Sequence, residues 1–155
     1  MAVTLPDLLN EQHTLLDLRS RNRDEALREI VEALSQGGEV REPEKFFAEV
    51  RAREEQQTTF AGNGVAFPHA RTDLLRQIVL GIGRSRDGVL FGPNVETAHL
   101  VFVIGVPRRM VTDYLVCVGA LARITKDAAN REALMSMETP AEFVDLLREK
   151  SLLLE

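Results

Sequence analysis

Apolar positions in this chain follow two spacings, one helical and one extended. Over residues 22–35, Ala26, Leu27, Ile30, Val31 and Leu34 recur three and four apart, the stripe of one helix face. Asn22 is placed to cap that helix, Asp24 and Glu25 suit its first turn, and Gly37-Gly38 end it. Asp24 with Arg28, and Arg28 with Glu32, stand four apart on the solvated face. Pro43 opens a second helix, where its missing N–H costs nothing. Phe46, Phe47 and Val50 face inward, and the pattern runs to about Arg53 or Glu54. Residues 58–64 hold two glycines and no period, so they read as a loop.

Beyond that loop the spacing shortens. Val65-Ala66-Phe67 is a brief apolar run, and Pro68 biases Phe67 towards an extended backbone. Residues 78–83 and 100–106 are β-branched, bounded by turn residues, and read as buried strands, with Gly88-Val89-Leu90 as a candidate third. Thr112 is positioned to cap a helix reaching about Ile124. Its Leu115, Val116, Val118, Leu121 and Ala122 leave so little polar surface that the helix is expected to be buried. Thr139-Pro140-Ala141-Glu142 forms a capping box ahead of a last helix, whose apolar side is Phe143, Val144, Leu146 and Leu147. Strands interleaved with helices predict an α/β layered fold.

Composition narrows the class. A chain of 155 residues predicts one domain, able to bury roughly 68–70% of its unfolded surface. With 45% hydrophobic and 28% charged residues it is no disordered chain. A net charge of -5 argues against a phosphate-backbone binder, so no nucleic-acid partner is expected. The single cysteine, Cys117, excludes an internal disulfide and a multi-thiolate zinc site, and no cofactor is expected. The apolar run at 100–106 is far shorter than the ~20 residues that span a bilayer, and residues 1–7 lack the parts of a signal peptide. The expectation is a cytoplasmic protein without direct membrane insertion.

Of the three histidines, His13 sits in a polar stretch and His99 just ahead of a strand. Both read as ordinary surface or boundary residues. His69 follows a glycine-bearing loop and directly follows Pro68, which holds it at a strand end, and the nearby glycines let backbone N–H groups approach an anion. On spacing alone a structural turn histidine is the better reading. No Gly-x-Ser-x-Gly elbow, metal cluster or matched carboxylate pair supports a hydrolase.

The segment Arg53-Glu54, Thr58-Thr59 and Gly62-Asn63-Gly64-Val65-Ala66-Phe67-Pro68-His69 resembles the active-site signature of phosphotransferase-system EIIA domains of the fructose/mannitol type, which include the nitrogen-regulatory EIIA proteins. The likeness covers nearly the whole of residues 1–155. It implies a layered α/β/α fold, a mixed β-sheet with helices on both faces. It implies a phosphohistidine carrier: His69 accepts a phosphoryl group from an HPr-type carrier and passes it to an EIIB domain. Arg53 maps to the family's phosphate-binding arginine, whose guanidinium binds two oxygens at once. Thr59, Gly62, Asn63, Gly64 and Tyr114 are the further candidate phosphoryl or partner contacts.

The sequence departs from the family at Tyr114, where a second histidine is usual; tyrosine donates one hydrogen bond and carries no positive charge. Asp113 beside it is expected to put negative charge near the phosphoryl group, with Arg108 and Arg109 upstream as candidate compensation. Phe60 and Ala61 replace the usual glycine and isoleucine, which implies a stiffer loop or one shaped for another partner. Two readings follow: a phosphoryl carrier, regulatory or a separate sugar-transport subunit, or a binding domain on the EIIA scaffold that acts on a regulatory target with transfer weakened or lost.

Overall fold

The computed structural model describes residues 2–91 and 96–154. The N-terminal segment gives a short helix α1 (Leu5–Leu8), a 3-10 turn (Glu11–His13) and a short strand β1 (Thr14–Leu15). Helices α2 (Arg23–Gln36) and α3 (Pro43–Gln56) follow, then strands β2 (Phe60–Gly62), β3 (Val65–Ala66) and β4 (His69–Thr72). Two long strands, β5 (Val79–Phe91) and β6 (Glu96–Pro107), precede helices α4 (Val111–Lys126), α5 (Ala128–Ser136) and α6 (Pro140–Leu152).

Among the described residues the strands form one mixed sheet in the order β1-β5-β6-β3-β2, with β4 also on β6. β5 and β6 are antiparallel, whereas β1 runs parallel to β5, and β3 and β4 run parallel to β6. Alternation along β6 builds two cores. Leu100, Phe102, Ile104 and Val106 pack with Leu121, Ile124, Phe143 and Leu147 of α4 and α6 on one face. Val101 and Val103 pack with Ile30, Leu34, Phe46 and Val50 of α2 and α3 on the other. The expected mixed sheet with helices on both faces is present.

Local chemistry sets the helix starts as expected at two places. Asn22 accepts the Glu25 N–H, and Thr139 accepts that of Glu142 while its own hydroxyl donates to the Glu142 carboxylate. On α2, Arg28 reaches Glu44 of α3 rather than its own helix neighbours, and lies 4.2 Å above the centre of the Phe47 ring.

Elsewhere tertiary pairing overrides the local pattern. The expected loop at 58–64 contains β2, which pairs with β3 in a hairpin. Gly62, Asn63 and Gly64 all have positive φ, the sharp turn that joins the two strands. The runs at 78–83 and 88–90 are one strand, β5, with a register shift between Arg84 and Val89. Thr112 is not a cap: α4 begins at Val111, after a 3-10 turn over Arg108–Met110. Nor is α4 buried all round, because Leu115 and Val116 are 59% and 53% exposed. Short α5 carries only Leu134 as a fully buried residue, too weak a stripe to read from sequence.

Candidate functional site

The pairing of β3 and β4 with β6 places His69. The chain runs along β6 opposite Leu100 and Val101, breaks pairing at Phe67 and Pro68, and resumes with His69 opposite Ile104. Proline has no N–H to give, but the Pro68 carbonyl still accepts the Ile104 N–H at 2.9 Å, so the break stays anchored. Phe67 is fixed by stacking on Phe102, ring centres 5.6 Å apart. From β4, Ala70 and Thr72 turn into the protein, while His69 and Arg71 share the other side.

The His69 ring is half-buried, and its Nδ1 lies 3.0 Å from the Phe67 carbonyl. A carbonyl only accepts, so Nδ1 carries the proton and Nε2 presents a lone pair. Nε2 makes no hydrogen bond to another described residue. Burial lowers the His69 pKa below its ordinary value, the Phe67 bond opposes this, and Arg53 and Arg71 lower it further. The neutral imidazole is thus the form present at neutral pH.

Around it stand cations and one aromatic ring. Tyr114 packs against His69 with ring centres 5.2 Å apart. Burial raises the phenol pKa, against the pull of Arg53 and Arg71, so the hydroxyl keeps its proton. Arg53, Arg71 and Arg108 line an open depression of about 670 Å³ with His69, together with Glu49 and Asp73. Arg53 donates to the Gln57 carbonyl at 2.8 Å, which orients its side chain at the end of α3.

Glu54 builds the turn beneath. It is 2% exposed, and it accepts the Thr58 hydroxyl at 2.6 Å, the Thr59 hydroxyl at 2.6 Å and the Thr59 N–H at 2.9 Å. This carboxylate ties the end of α3 to the start of β2, and β2 in turn to Phe67 through the Phe67 N–H and the Thr59 carbonyl.

The structure therefore brings His69, Arg53 and Tyr114 together and separates the other candidates from them. The Thr59 hydroxyl proton is committed to Glu54. The turn at Gly62, Asn63 and Gly64 lies beside His99 and Leu100. That is four residues along β6 from Ile104, or about 13 Å from His69. Asp113 is engaged by the N-terminal segment instead: it accepts the Val3 N–H at 3.3 Å. Arg109 donates to the Arg76 carbonyl. His13 is no surface residue but 2% exposed, with Nδ1 3.6 Å from Glu39.

Arg71 and the bridging role of Glu54 escape the sequence reading. Arg71 was accessible in principle, since a strand at His69 puts every second residue on one side. Among the described residues no group of His, Cys, Asp or Glu is arranged to hold a metal ion, and no helix is long and apolar enough to cross a membrane.

Residues 7–150 match the family described as the phosphoenolpyruvate-dependent sugar phosphotransferase system, EIIA 2. The chain belongs to this EIIA 2 family. It is 25% identical over 146 residues to the fructose-specific EIIABC component of Bacillus subtilis, covering 94% of this chain and 23% of that one. It is 28% identical over 128 residues to the fructose-specific EIIA component of Haloferax volcanii, covering 82% and 83%. The chain thus spans about a quarter of the first relative and most of the second. Nitrogen regulatory protein IIA-Ntr from Neisseria meningitidis superposes with a TM-score of 0.79 at 24% identity, over 92% of this chain and 97% of that one. Mannitol IIA in its complex with phosphorylated mannitol IIB from Escherichia coli gives 0.79 at 23% identity, over 91% and 97%. At these identities the solved structures establish the EIIA fold.

Proposed function

We propose that residues 1–155 act as one EIIA phosphoryl carrier in the cytoplasm, with Nε2 of His69 as acceptor. The observation that carries this reading is the pinned tautomer: Nδ1 is spent on the Phe67 carbonyl, and Nε2 is left beside two arginines. The donor is an HPr-type carrier, the recipient an EIIB domain or a regulatory target, and the role is regulatory or that of a sugar-transport subunit. Membership of the EIIA 2 family supports the reading, as does the mannitol IIA relative solved with phosphorylated IIB.

The step is an in-line displacement. The Nε2 lone pair attacks phosphorus, the P–N bond of the donor phosphohistidine breaks, and its electron pair returns to the donor ring. The Nδ1 proton of His69 stays on the ring, hydrogen-bonded to the Phe67 carbonyl, which supports the positive charge that the ring gains. Arg53 and Arg71 neutralise the phosphoryl oxygens, Arg53 with a planar two-donor fork. The Tyr114 hydroxyl supplies one further neutral hydrogen bond. No step here requires a metal ion. The test is incubation with phosphoenolpyruvate, enzyme I and HPr-type carriers, followed by intact mass. One acid-labile phosphoryl group on the parent is expected; none in any combination defeats the reading. The competing binding-domain reading draws on Tyr114, which replaces a charge-bearing histidine and packs on the acceptor ring.

A further inference from the structure

Apart from the depression at His69, three segments enclose a cavity of about 540 Å³: residues 3–13 around α1, residues 38–41 between α2 and α3, and residues 74–80, which enter β5. That volume suits a small molecule, and the walls mix apolar side chains with a few polar groups, as ligand sites do. Leu8, Leu74, Ile78 and Leu80 form an apolar wall. Asp7, Glu39, Arg41 and Arg76 bring two carboxylates and two guanidiniums to the same space.

The opposite charges around this cavity do not meet one another. Among the described residues Glu39 has an ion-pair contact with His13 only, at 3.6 Å, and neither carboxylate has an arginine at ion-pair distance. Asp7 receives the Thr4 N–H and hydroxyl through Oδ2 alone. The buried histidine is a second, independent observation. His13 is 2% exposed, and 3.6 Å from Nδ1 to Glu39 is beyond hydrogen-bond distance. Its ring makes no hydrogen bond among the described residues. A Cβ at Gly37 would collide with Nε2, so the ring sits where it does because that position is glycine. No fully enclosed side-chain nitrogen or oxygen among the described residues lacks a partner, so the open edge of the ring faces the cavity it lines and not the core.

We propose that this cavity binds a small zwitterion, an α-amino acid with an apolar side chain. The ammonium meets Glu39 and Asp7 beside His13, and the carboxylate meets the guanidinium of Arg41 or Arg76, whose planar fork matches it. The side chain lies on the wall of Leu8, Leu74, Ile78 and Leu80. Both ligand charges then make charge-assisted bonds, about twice as strong as neutral ones. A ligand of one sign leaves half of the charged wall unanswered. The site holds no residue of the phosphoryl chemistry, so the proposal does not rest on the carrier reading. Leu74 also lines the depression at His69, which puts the two sites side by side.

The experiment is an NMR titration of the full chain, labelled with ¹⁵N, with L-leucine and with L-phenylalanine. Saturable amide shifts centred on residues 3–13, 38–41 and 74–80 are expected for at least one of them, with a Kd of about 1 mM or tighter. 4-Methylpentanoate is leucine without its ammonium, and 3-methylbutylamine is leucine without its carboxylate; each is expected to bind at least about tenfold more weakly than the amino acid it truncates. Arg41→Gln with Arg76→Gln, and separately Asp7→Asn with Glu39→Gln, are each expected to weaken amino-acid binding about tenfold or more. All four positions are exposed, and the Arg76 carbonyl that Arg109 uses is main chain, so the fold should persist. The proposal is overturned if neither amino acid gives saturable shifts at about 10 mM, or if the shifts centre elsewhere. It is equally overturned if a truncated analogue binds as well as leucine, or if both double variants bind like the parent.

Discussion

Two imidazoles in this protein are pinned alike. His69 on β4 turns Nδ1 to the Phe67 carbonyl at 3.0 Å, and His99 on β6 turns Nδ1 to the Ser85 carbonyl at 2.8 Å. Each borders an open depression of about 670 Å³ that also contains arginines. What differs is the setting of each ring. Beside His99, Arg131 spends its Nη1 on the Thr125 and Lys126 carbonyls, and Glu132 adds negative charge to the same wall. The His99 ring sits between Gly64 and Gly88, whose Cβ atoms, if present, would lie 3.2 Å and 3.3 Å from it, so it fills a gap between two turns. Beside His69, Arg53 and Arg71 act on the imidazole and on Tyr114 alike. A fixed tautomer is common to both; the field of Arg53 and Arg71 on the ring marks His69, the proposed acceptor.

The largest effect expected is loss of the acceptor. His69→Gln should remove the acid-labile phosphoryl group from the intact mass spectrum, while His99→Gln keeps it. Gln reaches a similar distance with no nucleophilic ring nitrogen, and His69 is half-exposed, so the fold should persist. If the two variants exchanged these outcomes, the comparison would be inverted.

Next in size is the cationic shell. Arg53→Ala removes a preorganised donor and should slow transfer by about 10²-fold. Arg53→Lys keeps the charge without the fork and should fall between that variant and the parent. Arg86→Ala, beside His99, should leave the rate unchanged. Rapid-quench rates for the three variants decide the point; equal rates for Arg53→Ala and the parent would remove Arg53 from the phosphate site.

Below this comes the support beneath the site. Glu54→Ala withdraws the acceptor from three donors, two hydroxyls and one N–H. An unsatisfied buried polar group costs about 1–3 kcal/mol, and water reaches some of these donors, so a loss of about 2 kcal/mol in urea denaturation is expected. An unchanged midpoint would mean that the hairpin alone holds the loop.

The division between legible and hidden features follows the range of the interactions. Asn22 and Thr139 cap helices through bonds to residues three positions on, and the sequence shows them directly. The hairpin at β2 and β3, the single long β5 and the weak α5 depend on partners far along the chain. Arg84 is the clearest case. It follows the apolar run at 78–83, yet it is 1% exposed and donates to the carbonyls of Leu16, Leu134, Met135 and Met137. No local pattern encodes carbonyls that meet only after folding. Of the residues the motif names, His69, Arg53 and Tyr114 lie together, whereas Gly62, Asn63 and Gly64 are near in sequence and far along β6. Arg71 joins them only through β4, a strand too short to show a period in the sequence.

A smaller effect concerns pH. The folded pKa of His69 lies below its ordinary value, chiefly through burial. Transfer to His69 should therefore be flat through neutral pH and fall only at a pH more acidic than an ordinary histidine requires, where the ring protonates. The linked stability has the same direction. The unfolded chain binds this proton first, so the contribution of His69 is complete above the unfolded pKa and is lost as pH falls through the folded one. A rate that rises on acidification through this window would contradict a neutral nucleophile.

The smallest effect tests the one departure from the family motif. Tyr114 can act on a phosphoryl group through its hydroxyl or on His69 through its ring, and Tyr114→Phe separates these because it keeps the ring packed 5.2 Å from His69. A neutral hydrogen bond contributes about 0.5–1.5 kcal/mol, so Phe should slow transfer by about two- to tenfold if the hydroxyl meets the phosphoryl oxygens. An unchanged rate would leave the ring contact as the whole role. Tyr114→His then asks whether charge at this position is worth more. Protonated imidazole makes bonds about twice as strong as a neutral donor, and the phosphoryl group draws a proton to it. Arg53 and Arg71 oppose that protonation, since both already act on this site. The gain should therefore appear in the lifetime of phosphorylated His69, where the dianion is present, more than in the rate of its formation. If His at 114 weakens carrier binding and changes neither lifetime nor rate, Tyr114 belongs to the docking face, and the binding-domain reading gains the position.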